Sequence, residues 1–317
     1  MEPACPEILL VDDYSSAFPL QDLLEPRLCV HRLSEASPRS LPPAPVLRRI
    51  RALATTTNKG ADATLIEALP SLELIAVAGG HLDRIDHNAA ARRQIQVIGT
   101  PGVSAKDVAD LAFGLIIAVA RRIPEGDRFV RSGRWVNETM GLGRRVNGGR
   151  LGIIGLGRIG REVARRAEAF DMTVAYTGPN RKPDVSFEFV RTAAELSRRS
   201  DILVVTCRSD DTTRGIVDRE VLRALGSSGF LVSIARGAVD EIALVGALRA
   251  REIGGAGLDV FDAEPLVPAE FIACNNAVLL AHTGSKTVES KSAMASMVAG
   301  TLLRHFGLTS EGSNHDK

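Results

Sequence analysis

Short apolar runs separated by stretches of helical periodicity repeat along the whole chain. Residues 7–11, 28–33, 51–55 and 72–78 are rich in Leu, Ile, Val and Ala and end at polar residues or glycine, which predicts buried strands. Helix-like stretches, among them 61–69, and a Pro-rich segment at 38–45 lie between them, so this part predicts a small α/β domain with a parallel sheet. Residues 151–154, 172–177, 201–207, 230–235, 255–260 and 277–282 repeat the pattern. With helices over 192–200, 219–225 and 241–251 between them, they predict a doubly wound parallel sheet.

One helical stretch breaks the amphipathic rule. From Ser104 the chain reads SAKDVADLAFGLIIAVARR, with Val108, Leu111, Ala112, Leu115, Ile116 and Val119 on one face and Phe113, Ile117, Ala118 and Ala120 on the others. A helix apolar nearly all round must be covered on all sides, and this one is too short to cross a membrane. It is expected between domains or between subunits of a homodimer, through residues 104–122. The stretch 126–135, with Arg128, Arg131, Arg134 and the single Trp135, is expected as a loop across the same contact. A last helix is predicted over 288–305, and the polar tail 309–317 is expected to be disordered.

The stretch LGIIGLGRIG at 151–160 carries Gly155, Gly157 and Gly160 at G-x-G-x-x-G spacing, after a strand and before a helix. In a dinucleotide site the first glycine allows the sharp turn, the second lets backbone approach a pyrophosphate, and the third lets helix and strand lie close. The free N–H groups of the helix start would then face the phosphates, with Arg158 adding a cation. An acid that would bind the adenosine ribose is expected about 20 residues later. The chain has Gly178, Pro179, Asn180, Arg181 and Lys182 there instead, which removes repulsion against a 2′-phosphate and supplies positive charge. This favours NADP(H) over NAD(H).

Composition narrows the remaining classes. The 317 residues suffice for two domains, and a formal net charge of +1 gives no reason to expect nucleic acid or an acidic membrane as partner. Cys5, Cys29, Cys207 and Cys274 show no C-x-x-C or zinc spacing, so reduced thiols and no metal are expected. No basic leader precedes a long apolar segment, and a cytoplasmic, soluble protein is expected.

Three polar groups stand where successive strands end: Arg236 after FLVSIA, Glu264 after GLDVFDA, and His282 after AVLLA. Hydride transfer to a carbonyl carbon leaves an alkoxide unless an acid delivers a proton, and a His suits that task near neutral pH. A neighbouring carboxylate would orient its ring, and an arginine could hold a substrate carboxylate in a bidentate clamp. Together they describe reduction of a 2-oxo acid, or its reverse. At the end of 72–78, Gly79, Gly80 and His81 are candidates to bind a small anion through backbone N–H groups.

With these motifs the chain resembles the D-isomer-specific 2-hydroxyacid dehydrogenases over nearly its whole length, through LGIIGLGRIG, SIARGAVDE, GGAGLDVFDAEP and AHTGS. It looks most like the glyoxylate/hydroxypyruvate reductase branch. The resemblance implies two Rossmann-like domains: a smaller, flavodoxin-like substrate domain from 1–99 and 287–317, and a dinucleotide domain from 100–286. It implies His282 as general acid/base, Glu264 as its partner, Arg236 as substrate clamp, NADPH preference and a homodimer. It also implies cofactor contacts from Ile159, Cys207, Thr213, Ile234, Ala235, Asp259, His282 and Gly284. The chain departs from the family pattern at His81, where V-G-x-D is usual, at Gly99 of the usual N-T-P, and at Ala281 before the His. A regulatory, corepressor-like protein is the competing reading, against which the intact Arg236, Glu264 and His282 set argues. A dehydrogenase of 3-phosphoglycerate is another, disfavoured by the short chain after His305.

Overall fold

The computed structural model describes residues 5–11, 19–33, 41–208 and 210–308. The tail 309–317 and residues 38–40 of the Pro-rich segment lie outside these. The chain divides into two compact units, Met1–Ser104 with Thr287–Lys317, and Ala105–Lys286. Among the described residues no helix is long and apolar enough to cross a membrane.

The first unit runs β1 (Glu7–Val11), α1 (Leu20–Leu24), β2 (Cys29–Leu33), α2 (Ala44–Leu47), β3 (Ile50–Thr56), α3 (Ala63–Glu67), β4 (Leu74–Ala78), α4 (His87–Arg92) and β5 (Gln96–Gly99). The second opens with α5 (Ala105–Ala120) and α6 (Ile123–Arg131), and continues with β6 (Arg150–Ile154), α7 (Arg158–Glu168), β7 (Thr173–Thr177), β8 (Glu188–Phe189), α8 (Ala193–Arg198) and β9 (Ile202–Val205). It ends with α9 (Arg219–Leu225), β10 (Phe230–Ser233), α10 (Glu241–Arg249), β11 (Gly255–Leu258), α11 (Ala269–Ile272) and β12 (Ala277–Leu279). The closing helix α12 (Val288–His305) belongs to the first unit.

In the first unit five parallel strands lie in the order β2-β1-β3-β4-β5, the flavodoxin-like arrangement. Side chains alternate between its faces. Ile8, Leu10, Ala52, Leu74 and Ala76 pack with Leu20 and Leu24 of α1 and Met294, Val298 and Leu302 of α12. Leu9, Leu53, Ile75 and Val77 pack on the opposite side with Ile66, Ala89 and Ala90. Both faces are thus covered, which is why the strands read as nearly continuous apolar runs. Residues 100–104 join this unit instead of the second, because Thr100 exchanges hydrogen bonds with Gly79: its N–H donates to the Gly79 carbonyl and its hydroxyl accepts the Gly79 N–H, both at 2.8 Å.

The second unit is a seven-stranded parallel sheet in the order β12-β11-β10-β9-β6-β7-β8. The order reverses between β6 and β9, the crevice where doubly wound sheets bind ligands. Helices α5 and α7 cover one face through Ala112, Phe113, Ile116, Val163 and Ala167, and Leu196, Leu222, Leu244 and Leu248 cover the other. Helices α8, α9 and α10 start at Thr192, Asp218 and Asp240, whose side chains accept the N–H three residues on, each such cap contributing about 0.5–2 kcal/mol.

Within this unit α5 buries Ala109, Ala112, Phe113, Leu115, Ile116, Val119 and Ala120, while Leu111, Gly114, Ile117 and Ala118 keep contact with solvent. The stretch expected as a basic loop is instead α6 followed by a 3-10 turn at Arg134–Val136. Pro124 in the first helical turn starts α6, and Gly133, at φ +73°, ends the segment. Its cations are largely paired: Arg131 with Asp127 at 2.8 Å, and Arg134 with Glu138.

Candidate active site

Because all strands of the second sheet are parallel, the residues that follow them share one edge. Gly155 leaves β6, Cys207 follows β9, Arg236 follows β10, Glu264 follows β11 and His282 follows β12. The last three come from neighbouring strands, and the structure joins their side chains.

Arg236 Nη2 donates to Glu264 Oε2, and the same oxygen lies 2.9 Å from His282 Nδ1. Glu264 Oε1 accepts the Phe261 N–H at 3.0 Å. Arg236 Nη2 lies 3.3 Å from His282 Nδ1; since both are donors when Nδ1 carries its proton for Glu264, the shorter carboxylate contact sets the tautomer and leaves Nε2 to face outward. Burial pushes the Glu264 carboxyl up, but the His282 and Phe261 hydrogen bonds and the charges of His282 and Arg236 outweigh it and hold it below its ordinary value. Arg236 Nε is buried with no hydrogen-bond partner, a donor without an acceptor in the chain.

His282 has φ +50°, in the left-handed region that favours glycine, and the turn is held in place by Asp259. Its carbonyl accepts the His282 N–H at 2.9 Å, and its side chain accepts the N–H groups of Thr283 at 2.7 Å and Gly284 at 2.9 Å. Asp259 was expected among the cofactor contacts, yet it is buried with both oxygens committed to this turn. The sequence signal for this role is thin: an acid one strand before a glycine has no periodicity to mark it.

The glycine motif forms the expected turn from strand to helix. Gly155 has φ +96°, and a Cβ there would lie 2.6 Å from the Cys207 Cα, while one on Gly160 would lie 2.4 Å from the Gly155 carbonyl oxygen. A Cβ on Gly157 would meet no atom of the chain within 4 Å. The first and third glycines therefore answer to the fold, and the second leaves room outside the start of α7, where Arg158, Ile159 and Gly160 present N–H groups beyond the helical hydrogen-bond ladder. A pyrophosphate fits that combination.

After β7 the loop carries Asn180 and Arg181 exposed and Lys182 half-buried, with no carboxylate among 178–182. One anchor of this loop went unread in the sequence: the buried Tyr176 hydroxyl accepts the Lys182 N–H at 2.7 Å. Ile234 and Ala235 line the strand end beside Arg236, Ile234 half-buried and Ala235 buried. Cys207 packs against Gly155, and burial, with the charge of Asp210, pushes its thiol up to about 11, so it is no thiolate at neutral pH. Thr213 spends its hydroxyl on its own turn, donating to the Arg208 carbonyl at 2.6 Å and accepting the Asp210 N–H at 2.8 Å. It orders the loop and does not offer a free hydroxyl.

In the first unit the candidate anion loop is narrower than expected. Gly79, at φ +133°, has given its N–H to Thr100, which leaves Gly80 and the exposed His81 as the open positions. The departure at Gly99 has a local reason: a Cβ there would lie 2.8 Å from the Gly79 carbonyl oxygen and 3.1 Å from Leu82 Cδ2. This loop and a side chain at 99 exclude one another.

A switch-point glycine turn together with an oriented, protonatable ring at the same sheet edge defines a dinucleotide-dependent oxidoreductase. The family model "D-isomer specific 2-hydroxyacid dehydrogenase, NAD binding domain" matches residues 113–284. The chain is 48% identical over 258 residues to glyoxylate/hydroxypyruvate reductase A of Arabidopsis thaliana, covering 81% of this chain and 82% of that protein. Among solved structures, a 2-hydroxyacid dehydrogenase from Ketogulonicigenium vulgare matches with TM-score 0.89 and 40% identity over 97% of both chains. An NADPH-dependent glyoxylate/hydroxypyruvate reductase from Sinorhizobium meliloti, in complex with NADP and malonate, matches with TM-score 0.87 and 34% identity over 96% of this chain and 94% of that one. The chain belongs to the D-isomer-specific 2-hydroxyacid dehydrogenases, in their glyoxylate reductase branch, and is an NAD(P)-dependent oxidoreductase.

Proposed function

We propose that this chain reduces small 2-oxo acids of the glyoxylate and hydroxypyruvate type to D-2-hydroxy acids, with NADPH as the preferred reductant. The observation that carries the reading is the bonded set Arg236–Glu264–His282 at three adjacent strand ends. The names of the relatives support the substrate class.

Bound at the glycine turn, the reduced dinucleotide supplies the hydride. The chain supplies the rest. Glu264 holds His282 Nδ1–H, and in the imidazolium form the second proton, on Nε2, goes to the carbonyl oxygen as charge develops there. Arg236, fixed by Glu264 through Nη2, is the proposed clamp for the substrate carboxylate. Asn180, Arg181 and Lys182 receive the 2′-phosphate, and the N–H groups of Arg158, Ile159 and Gly160 the pyrophosphate. Gly80 and His81 are the proposed substrate-binding positions of the first unit.

The working form is a homodimer built on residues 104–122 and the α6 segment. Its support is apolar surface left open: Trp135 is 70% exposed, Val136 84% and, further on, Leu142 95%, and Leu111, Ile117 and Ala118 of α5 are half-buried. The four free cysteines suit a reducing cytoplasm.

A spectrophotometric panel of glyoxylate, hydroxypyruvate, pyruvate and 3-phosphohydroxypyruvate, each with NADPH and with NADH, tests substrate and cofactor together. Turnover of the first two, faster with NADPH, is the expected outcome. Absence of turnover with every acid, or NADH preferred throughout, overturns the corresponding half of the proposal.

A further inference from the structure

Around Arg236 and Glu264 the hydrogen bonds close a ring that includes a residue with no part in the chemistry. Arg236 reaches Glu264 through its side chain, and Glu264 Oε1 accepts the Phe261 N–H at 3.0 Å. The next residue, Asp262, accepts the Gly237 N–H through Oδ1 at 3.0 Å, and Gly237 follows Arg236 in the chain. The path has returned to its start.

The ring is also tied to a rigid element. Glu241, the first residue of α10, accepts the Asp262 N–H through Oε1 at 2.9 Å. That helix is capped by Asp240 and seated in the core by Leu244, Ala247 and Leu248. Gly237 itself has φ +74°, a conformation in which a glycine has many alternatives to lose. Its carbonyl is held by the Gly215 N–H at 2.9 Å, so Asp262 restrains the N–H side, the side that faces Arg236.

We infer that Asp262, held by Glu241, is a positioning residue that sets the Arg236 guanidinium against Glu264 and thereby the angle at which a substrate carboxylate is received. The inference rests on the proposed role of Arg236 as carboxylate clamp. Asp262 is exposed and touches neither His282 nor the glycine turn, so its loss leaves proton delivery and dinucleotide binding in place. What it changes is the aim of the clamp, where small misplacements cost more than the lost bond alone.

The test compares Asp262→Ala with Asp262→Asn in the full chain. The asparagine amide oxygen accepts the same N–H and keeps the ring closed; alanine opens it. Asp262→Ala should raise KM for glyoxylate about five- to thirtyfold, with kcat changed less than about threefold and KM for NADPH unchanged. Asp262→Asn should return KM for glyoxylate to within about twofold of the parent. In the resting protein, amide hydrogen exchange at Gly237 should speed up about tenfold in the alanine variant alone. An unchanged KM in Asp262→Ala, or an asparagine variant as impaired as alanine, overturns the inference. Exchange at Gly237 needs no turnover, so unchanged exchange overturns the ring even if the parent reduces no 2-oxo acid. A parent that reduces none, with Gly237 exchange following the expected order, defeats the proposed function and leaves the ring as a structural feature only.

Discussion

The ends of β10, β11 and β12 and the ends of β6 and β7 lie on one edge of one sheet, yet they are built in opposite ways. At the first, charged side chains already satisfy one another: Arg236 and His282 share Glu264, and Asp259 pins the His282 turn. At the second, groups stand open. Arg158 and Arg181 are in no salt bridge among the described residues, Lys182 has only the charge of Asp184 near it, and a Cβ on Gly157 would meet no other atom of the chain within 4 Å. Chemistry needs its dipoles in place before the substrate arrives, because reorganising them during reaction adds to the barrier. A cofactor site can instead leave charges for the ligand to complete, and binding then supplies the missing partners.

The largest effect that would break this contrast is at His282. Replacement by Asn keeps a side chain that can bond Glu264 but cannot deliver a proton, so kcat should fall roughly 10²- to 10⁴-fold. Binding of NADPH, followed by its fluorescence, should stay within about twofold of the parent, since the proposed pyrophosphate and 2′-phosphate contacts lie on other residues. Full activity in this variant would overturn the assignment.

Next in size is the open region. Arg181→Ala combined with Lys182→Ala should raise KM for NADPH about ten- to a hundredfold and leave KM for NADH within about twofold, because only NADPH carries the 2′-phosphate those cations would meet. Equal changes for both cofactors would show that the loop reads the adenosine as a whole. Steady-state kinetics with both cofactors decides it.

The smallest effect comes from pH. Glu264 has its folded pKa lowered beneath its ordinary 4.5, so it contributes stability that is fully present above that value and is lost as pH falls through the lowered one. Between pH 5 and 8 Glu264 should therefore stay ionised, and thermal unfolding should show no Glu264-dependent step there. Glu264→Gln should remove pH dependence only on the acid side of 4.5, seen as melting curves of the two proteins that converge as pH falls. Curves that diverge there instead would mean the carboxylate is not held by its partners.

Much of this was legible in the chain because periodicity and punctuation carry it. Runs such as LGII and FLVS announced buried parallel strands, and glycine after a strand announced the turn at 155–160. Elements without such marks were missed. Helix α6 mixes charged residues with a glycine at 126 and reads as a loop, although Pro124 was its start signal. Strand β5 and helices α4 and α11 are too short for a period to show. The roles of Asp259, Asp262 and Tyr176 were out of reach for a different reason. Each acts on a backbone N–H, six residues on for Tyr176 and 25 residues away for the two acids, and every residue but proline has one, so sequence alone leaves the recipient unmarked.

By itself, the order of residues determined the parallel sheets, the turn at the glycines, the absence of an acid after β7, and the three strand ends that would carry the chemistry. Only the tertiary structure decided which polar groups remain free: Gly79 has given its N–H to Thr100, Asp259 its oxygens to the His282 turn, and Thr213 its hydroxyl to its own loop. Local pattern reports where a side chain starts, because backbone geometry repeats every two or 3.6 residues. What it bonds to depends on segments brought together across the sheet, and that is a property of packing.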